Sequence, residues 1–210
     1  MSENTDFAWL ADRIGRAEYA QFTLAAAPET SGEHEEQAAF ADLVGTAGAG
    51  IVCEPTQVTH VKRARGGPLV ALIGWPTGRH HSLIKAAEAR LAVDDGADEV
   101  WVAVDAAALR DGAAGVNAVQ ADIIAVRQVI EEPTRFGITC SASAGKEALQ
   151  ALADAVGKVG VDVVAVDVDK PGERELPSVA CELAVHGVID SLDAAADLLL
   201  AGADRVFPVR

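Results

Sequence analysis

The chain has 210 residues, of which 50% are hydrophobic and 4% aromatic, and its 32 acidic residues outnumber 17 basic ones for a formal charge of −15. This length and composition predict a single domain over residues 1–210, with a core built mainly from Ala, Val, Leu and Ile. The negative charge disfavours nucleic acids and anionic membranes as partners.

The amino-terminal segment and the cysteines bear on the cellular compartment. Residues 1–20 have no basic start and no apolar run, so they do not resemble a signal peptide, and no segment of 18 consecutive apolar residues could span a membrane. Cys53, Cys140 and Cys181 form an odd, sparse set without a Cys-x-x-Cys pair, which argues against a disulfide framework or a structural zinc site. We therefore expect a cytoplasmic protein with no metal and no cofactor.

A short pattern recurs four times along the chain, at residues 47–52, 95–100, 159–164 and 201–206. Each copy has a glycine, a small residue or valine, usually an aspartate, and then β-branched residues. Glycine commonly follows the end of a helix because it takes a positive φ without strain, and valine or isoleucine favours a strand. The pattern therefore predicts a joint between a helix and a parallel strand.

Apolar segments and helical periodicity define the predicted elements. The eight predicted strands are 22–26, 50–54, 69–75, 99–104, 136–140, 162–166, 182–187 and 205–209. Helical spacing of apolar residues predicts helices near 116–130, 146–159 and 191–200, the last closed by Gly202. Strands that are apolar on both faces fit a parallel sheet covered by helices, so we predict a compact (β/α)8 TIM barrel. A doubly wound open sheet is the alternative, weakened because no glycine-rich nucleotide motif follows a strand.

Two crossovers of this barrel are predicted to be trimmed. Pro171, Gly172 and Pro177 leave little room for a helix between the sixth and seventh strands. After the eighth predicted strand the chain continues only to Arg210. The sixth and eighth helical crossovers should therefore be short or absent.

The segment from about Gly50 to Val104 resembles the deoxyribose-phosphate aldolase family. The family has a strand ending in Cys and Pro, a strand ending in Gly-Phe-Pro-x-Gly, a helix with Lys-Ala-x-Glu-Ala, and a Gly-Ala-Asp-Glu joint. The corresponding segments here are IVCEP, LIGWPTG, IKAAEA and GADE. The resemblance implies a (β/α)8 barrel and a class I aldolase, which joins a lysine to an aldehyde carbon as a Schiff base.

The catalytic and phosphate-binding residues that the resemblance implies are replaced at the matching positions of this sequence. Trp101 stands where the resemblance places a proton-handling aspartate, Ala165 where it places the Schiff-base lysine, and Ala184 where it places the second lysine. The last strand ends in Phe-Pro-Val-Arg instead of the family's Gly-Thr-Ser-Ser phosphate cradle, and the preceding glycine pair is reduced to Gly187. A Schiff base cannot form without an amine. Lys170, the only lysine expected near the carboxyl ends of the strands, is predicted to be solvated.

A different site could occupy the barrel mouth. Alternation along the strands predicts that Cys53, Asp105, Thr139, Asp167 and His186 point inward, with the two aspartates and the histidine near the carboxyl-end rim. These groups suit acid–base work or a cation, although a polar rim hydrogen-bonded to loops is the more ordinary interpretation. Cys53 is interpreted as a small core residue, and His80 and His81 as a solvated helix start rather than a metal site.

Three functional hypotheses follow. The first is a degenerate aldolase homologue without Schiff-base chemistry that binds a small-molecule metabolite or acts through a partner, including a second copy of itself. The second is an active lyase that uses an unexpected lysine. The third is new acid–base chemistry from Asp105, Asp167 and His186. The first also predicts that Trp101 fills the former active site, with its indole N–H bonded at the rim to Asp105 or a loop carbonyl.

Overall fold

A computed structural model of the chain describes residues 8–19, 34–172 and 175–209. Its strands are β1 (Arg16–Glu18), β2 (Ile51–Cys53), β3 (Leu69–Ile73), β4 (Glu99–Ala103), β5 (Arg135–Ser141), β6 (Val163–Val168), β7 (Glu182–Gly187) and β8 (Arg205–Pro208). Its helices are α1 (His34–Thr46), α2 (Val58–Ala64), α3 (Ser82–Asp94), α4 (Ala113–Arg127), α5 (Lys146–Val156) and α6 (Leu192–Leu200).

The eight strands form one parallel sheet in the order β1 to β8. Parallel bridges from Ile14 to Val206 and from Ala17 to Val209 bring the last strand beside the first, so the sheet closes on itself. Eight parallel strands alternating with outer helices confirm the predicted (β/α)8 barrel and exclude the open sheet.

The glycine joints adopt the predicted conformation in three of the four copies of the repeat: Gly96, Gly160 and Gly202 have φ between +74° and +113°, a region where a side chain would be strained. In the first copy the corresponding Gly48 does not have a positive φ, and Gly50, two residues later, has the φ of +106° instead. Each of these glycines precedes a strand, so the repeat does mark the helix-to-strand joints of the barrel.

The beginning of the barrel differs from the prediction. The predicted strand 22–26 lies outside the described residues, and the sheet is complete with Arg16–Glu18 as its first strand. This strand has only three residues, two of them charged, so it lacks the apolar run by which the other strands were found.

The crossover between β6 and β7 contains no helix within residues 169–172 and 175–181, as predicted. Beyond β8 the structure describes only Val209.

Two layers of apolar side chains lie on opposite faces of the sheet. The larger layer lies between the sheet and the helices. The smaller one, called here the barrel-interior cluster, consists of Ala17, Tyr19, Ala49, Val52, Val70, Leu72, Trp101, Val163, Ala165, Ala184 and Phe207. Trp101, Ala165 and Ala184, which stand at the positions that the resemblance assigns to the catalytic groups, therefore all lie inside the barrel.

Candidate functional site

Trp101 occupies the centre of the barrel interior and is 0% exposed. Its ring packs edge-on against Phe207, with 5.5 Å between centroids, and lies 5.7 Å from the imidazole of His186. Gly137 is in register with Trp101 on the next strand, and a Cβ there would lie 2.4 Å from Cδ1 of the indole. The missing side chain on β5 therefore provides the space that the indole fills.

Ala165 and Ala184 are paired in register on β6 and β7, and both are fully buried. They belong to the same interior cluster as Trp101. Two small side chains and one glycine thus accompany one large indole, which fits the prediction that Trp101 occupies the interior.

The partner of the Trp101 indole is not the one predicted. Nε1 donates to Oε1 of Glu99 at 2.5 Å, at the amino end of the same strand. The prediction of Asp105 or a loop carbonyl at the carboxyl-end rim is wrong, because the indole extends towards the opposite end of the barrel.

Glu99 belongs to a ring of charged side chains that closes the amino ends of the strands, called here the ionic ring: Glu99, Arg135, Glu182 and Arg205. Arg205 donates from Nη2 to both carboxylate oxygens of Glu99, at 3.0 and 3.1 Å, and its Nε donates to Glu182. Arg135 bridges the same two acids, at 3.3 Å to Glu99 and 2.6 Å to Glu182. These four groups were not predicted, since their meeting depends on the register of four strands.

A second polar group, called here the mouth cluster, lies at the carboxyl ends of the strands and comprises Tyr19, Trp75, Thr139, Asp167 and His186. Nδ1 of His186 is 2.6 Å from the Tyr19 hydroxyl, and Nε2 is 2.6 Å from Oγ1 of Thr139. Both ring nitrogens are therefore hydrogen-bonded within the protein.

Asp167 joins this cluster from β6. One carboxylate oxygen accepts from the Trp75 indole at 3.1 Å, and the other lies 3.7 Å from Nδ1 of His186. The Trp75 ring packs on Tyr19 with 4.5 Å between centroids. The structure thus brings together Thr139, Asp167 and His186 as predicted, and adds two aromatic residues that sequence reasoning missed.

The electrostatics of the mouth cluster favour uncharged His186 and Tyr19. Burial lowers the pKa of His186, although nearby Asp167 acts in the opposite direction. Burial, assisted by Asp167, raises the pKa of Tyr19 well above its usual value. A neutral imidazole has one donor and one acceptor nitrogen, so it can serve Tyr19 and Thr139 at once in either of two proton arrangements.

Asp105 is not part of the mouth cluster. Its carboxylate binds Nε of Arg79 at 3.1 Å and accepts from the Ala107 backbone N–H at 2.9 Å. Partial burial acts to raise its pKa, but the hydrogen bonds from Ala107 and Arg79 outweigh this and the net shift is downward. Asp105 therefore organises the loop after β4, and the predicted grouping of three acid–base residues is reduced to Asp167 and His186.

Cys53 points away from the barrel axis. It packs in the layer between the sheet and the helices, whereas its neighbour Val52 belongs to the interior cluster. The inward orientation predicted for Cys53 is wrong, because the alternation along β2 was assigned out of phase by one residue. Burial raises the pKa of the Cys53 thiol to about 12, which disfavours the thiolate that a nucleophile requires.

The chain has five lysines, all within the described residues. Lys85 is buried on α3 outside the barrel wall, where Nζ donates to the Ala103 carbonyl at 3.0 Å and to Asp122 at 2.5 Å. The other four, Lys62, Lys146, Lys158 and Lys170, are exposed. None of the five belongs to the barrel-interior cluster.

The Lys-Ala-x-Glu-Ala motif has a structural role in this fold. Lys85 binds the carbonyl of Ala103 at the end of β4, and Glu88 accepts the backbone N–H of Gly74 after β3 at 2.7 Å. One helix therefore ties the carboxyl ends of two neighbouring strands. This explains how the motif can be present where the interior lysines are absent.

The two adjacent histidines serve the start of α3. His81 accepts the backbone N–H of Leu83 at 3.2 Å, and Nδ1 of His80 lies 3.3 Å from the Gly74 carbonyl. Within the described part of the chain, no group of three or more His, Cys, Asp or Glu side chains is arranged to hold a metal ion. In the same part, no helix is both long and apolar enough to cross a membrane.

The parallel closed sheet, with helices on its outer side, defines a (β/α)8 barrel. The chain is 35% identical over 156 residues to a deoxyribose-phosphate aldolase of Nocardia farcinica, covering 69% of each protein. It is also 35% identical over 155 residues to the deoxyribose-phosphate aldolase of Corynebacterium glutamicum, covering 71% of this chain and 67% of that protein. The chain therefore belongs to the deoxyribose-phosphate aldolase family.

Solved structures agree on the fold. A putative deoxyribose-phosphate aldolase from Coccidioides immitis aligns with a TM-score of 0.70 at 18% identity, covering 96% of this chain and 82% of the other. The tetrameric deoxyribose phosphate aldolase from Aeropyrum pernix aligns with a TM-score of 0.69 at 20% identity, covering 94% of this chain and 86% of the other. No protein-family model matches the chain.

Proposed function

We propose that this protein is a family member without Schiff-base aldolase activity, and that it acts by associating with a partner, including a second copy of itself, rather than by carbon–carbon cleavage. The observation that carries the proposal is the barrel interior, where Trp101, Ala165 and Ala184 are all fully buried at the positions that the resemblance gives to the catalytic groups. An aldehyde carbon would find no amine there.

The distribution of lysines supports the same proposal. A Schiff-base lysine needs an unprotonated amine that faces a substrate pocket. Lys85 is held by Asp122 behind the barrel wall, and Lys170 is exposed in the loop after β6. The second hypothesis, an active lyase that uses another lysine, depends on Lys170, the lysine in the loop that follows the carboxyl end of β6.

Borohydride trapping tests the proposal directly. The protein is incubated with deoxyribose 5-phosphate and borohydride and measured by intact-mass spectrometry, beside an active aldolase as the positive control. We expect no stoichiometric adduct and no acetaldehyde release. An adduct on the wild-type protein that is lost in Lys170→Ala would replace the proposal with the active-lyase hypothesis.

We also propose that the barrel does not prefer phosphorylated sugars. The end of β8 supplies Phe207 to the interior, Pro208 without an N–H, and Val209, whose N–H is bonded to the Gly187 carbonyl at 2.9 Å. These groups cannot together form a cradle of free backbone donors. Calorimetry should therefore show no clear gain for deoxyribose 5-phosphate over deoxyribose, and a clear gain would contradict this part of the proposal.

The mouth cluster is the basis of the acid–base hypothesis. It contains one imidazole and one carboxylate, but both nitrogens of His186 are engaged by Tyr19 and Thr139. A general base needs a free acceptor directed at the substrate. The internal bonding favours a structural function of this cluster over a catalytic one.

We further propose that residues 1–210 form one cytoplasmic domain that self-associates. All three cysteines are free thiols, which suits a reducing compartment. The solved relative from Aeropyrum pernix is described as tetrameric, and we extend self-association, though not that number of subunits, to this chain.

A further inference from the structure

Four of the six large hydrophobic side chains that are exposed in the described part of the chain lie on two neighbouring helices. Leu83, Ile84 and Leu91 are on α3 and Ile124 is on α4, and these helices pack side by side. Leu83 is 73% exposed and Leu91 64%. Such a concentration of apolar side chains on one surface is typical of an interaction site.

The same surface has almost no charge. Its other exposed residues are alanines, Ala87 on α3 and Ala114, Ala118 and Ala121 on α4, apart from Arg90 and Asp94. Arg90 and Asp94 are paired with each other at 3.5 Å, so the face is neutral overall. The whole chain carries a charge of −15, so two copies repel each other, and this repulsion is smallest where the contact surface has no unpaired acids. The neutral face therefore suits a second copy of this acidic chain.

The pattern on α3 is symmetric about Ala87. Leu83, Ala87 and Leu91 are four residues apart and lie on one side of the helix. If α3 packs against α3 of a second copy in antiparallel fashion, with the two-fold axis at Ala87, each Leu83 meets the partner's Leu91. The small alanine at the crossing point allows the helix axes to approach closely. A patch that is complementary to itself is what a two-fold interface requires.

The size of the face is sufficient for a modest dimer. Helices of 13 and 15 residues are about 20 Å long, and two of them side by side, each about 10 Å wide, cover roughly 400 Å² in projection. Because the helices are curved surfaces, the accessible area is larger and approaches the ~600 Å² per partner at the lower end of stable interfaces.

We propose that the outer face of α3 and α4 is the surface through which two copies of this chain associate, with the two-fold axis at Ala87. This proposal rests on the self-association proposed above and assigns a surface to it.

Sedimentation velocity over a wide range of concentration tests the assignment with two matched variants. Leu91→Glu places a carboxylate in the proposed interface, whereas Leu200→Glu makes the same change at an 80% exposed leucine on α6. We expect the wild type and Leu200→Glu to assemble to at least twice the chain mass of 21.7 kDa. Leu91→Glu should raise the dissociation constant by at least about 100-fold, since two carboxylates are buried per dimer. Both positions are exposed in one chain, so circular dichroism should show each variant folded.

The possible failures are distinguishable. A wild type that stays monomeric at every concentration would overturn self-association itself. An assembled wild type that Leu91→Glu does not weaken, or that Leu200→Glu weakens equally, would overturn only the surface.

A crosslink tests the position of the two-fold axis. In Ala87→Cys the two new thiols should lie close enough to form an intermolecular disulfide under mild oxidation. Leu200→Cys and the wild type, with its native cysteines, serve as controls. Peptide mass spectrometry should identify residue 87 linked to residue 87 of the partner. No excess of linked dimer over both controls would contradict an axis at Ala87.

Discussion

At the amino ends of the strands, the barrel is closed by four charged side chains that neutralise one another, whereas at the carboxyl ends it is closed by aromatic rings, hydroxyls, an imidazole and one carboxylate. The ionic ring joins β4, β5, β7 and β8 through two acids and two arginines. The mouth cluster joins the carboxyl ends of β1, β3, β5, β6 and β7, and both nitrogens of His186 at its centre are bonded.

Trp101 lies between these two ends and contacts both. Its indole N–H is bonded to Glu99 of the ionic ring, and its ring lies 5.7 Å from His186 of the mouth cluster. Arg205 lies over the rings of both Trp101 and Phe207, at 5.8 and 5.4 Å. The difference between the ends shows that one buried indole can connect two closures of a barrel that are built from different side chains, ion pairs at one end and aromatic and hydroxyl groups at the other.

The largest expected effect comes from removing the side chain that connects the two ends. Trp101→Ala should lower the free energy of unfolding by about 3–5 kcal/mol, as for other buried tryptophans. Trp101→Asp should cost at least as much because it buries an unpaired carboxylate. Urea unfolding measures both, with the partly exposed Trp9→Ala as a control that costs less than about 1 kcal/mol. A loss below about 1 kcal/mol at Trp101 would indicate an open pocket instead of a filled interior.

The next effect tests the amino end. Glu99→Ala removes the acceptor shared by Arg205, Arg135 and the Trp101 indole, and should cost about 3 kcal/mol, the lower limit for breaking a buried pair, since Arg135 is partly exposed. Lys62→Ala breaks the exposed pair with Asp98 and should cost less than about 1 kcal/mol. Equal losses in the two variants would mean that the ionic ring stabilises no more than a surface pair.

A smaller effect tests the space beside the indole. Gly137→Ala places a methyl group against Trp101 and should cost about 1–3 kcal/mol through overpacking. In the Trp101→Ala background the same change should be nearly neutral, so a double-mutant cycle gives the coupling. Gly45→Ala, at a helical position with nothing near the added carbon, should instead stabilise by about 0.5–1 kcal/mol. Absence of coupling would show that the glycine and the indole are independent.

The smallest effect concerns the carboxyl end and appears as a dependence on pH. Burial holds the pKa of His186 in the folded protein below its unfolded value of about 6.5. Between these two values the unfolded chain binds the proton and the folded protein does not, so stability falls as the pH falls below about 6.5. The slope attributable to this residue is at most ~1.4 kcal/mol per pH unit.

His186→Gln removes this titration, so the difference in unfolding free energy between wild type and variant should change over that pH window. Asp167 and Tyr19 are the other titratable groups of the cluster, and both remain in the variant. A difference that changes in the opposite direction would mean that His186 is charged in the fold and paired with Asp167.

The fold was largely predictable because its signals are local. Gly96 and Gly202 follow helices and precede strands, and each adopts the positive φ that the pattern implies. β1 was missed for a related reason: Arg16 and Glu18 give it no apolar signal, and its pairing with β2 and β8 is long-range.

The site was predictable only as far as the alternation of strands could be assigned. Trp101, Ala165 and His186 were placed inside the barrel because β4, β6 and β7 were located correctly. Cys53 was placed on the wrong face, since a three-residue strand does not fix its own phase. The hydrogen bond between Trp101 and Glu99 depends on the rotamer of the indole, and the ionic ring depends on the register of four strands. Neither the rotamer nor the register can be predicted from a single segment of the sequence.

The three tryptophans of the chain differ in how deeply they are buried, so the intrinsic fluorescence of the protein can report on its structure. Trp9 is partly exposed, Trp75 is half-buried in the mouth cluster, and Trp101 is sealed within the barrel. An indole shielded from water fluoresces at shorter wavelength and is inaccessible to a quencher such as acrylamide. The fraction of emission that resists quenching therefore belongs to Trp101, and its loss over time records the opening of the barrel itself, separately from motions of the loops around it.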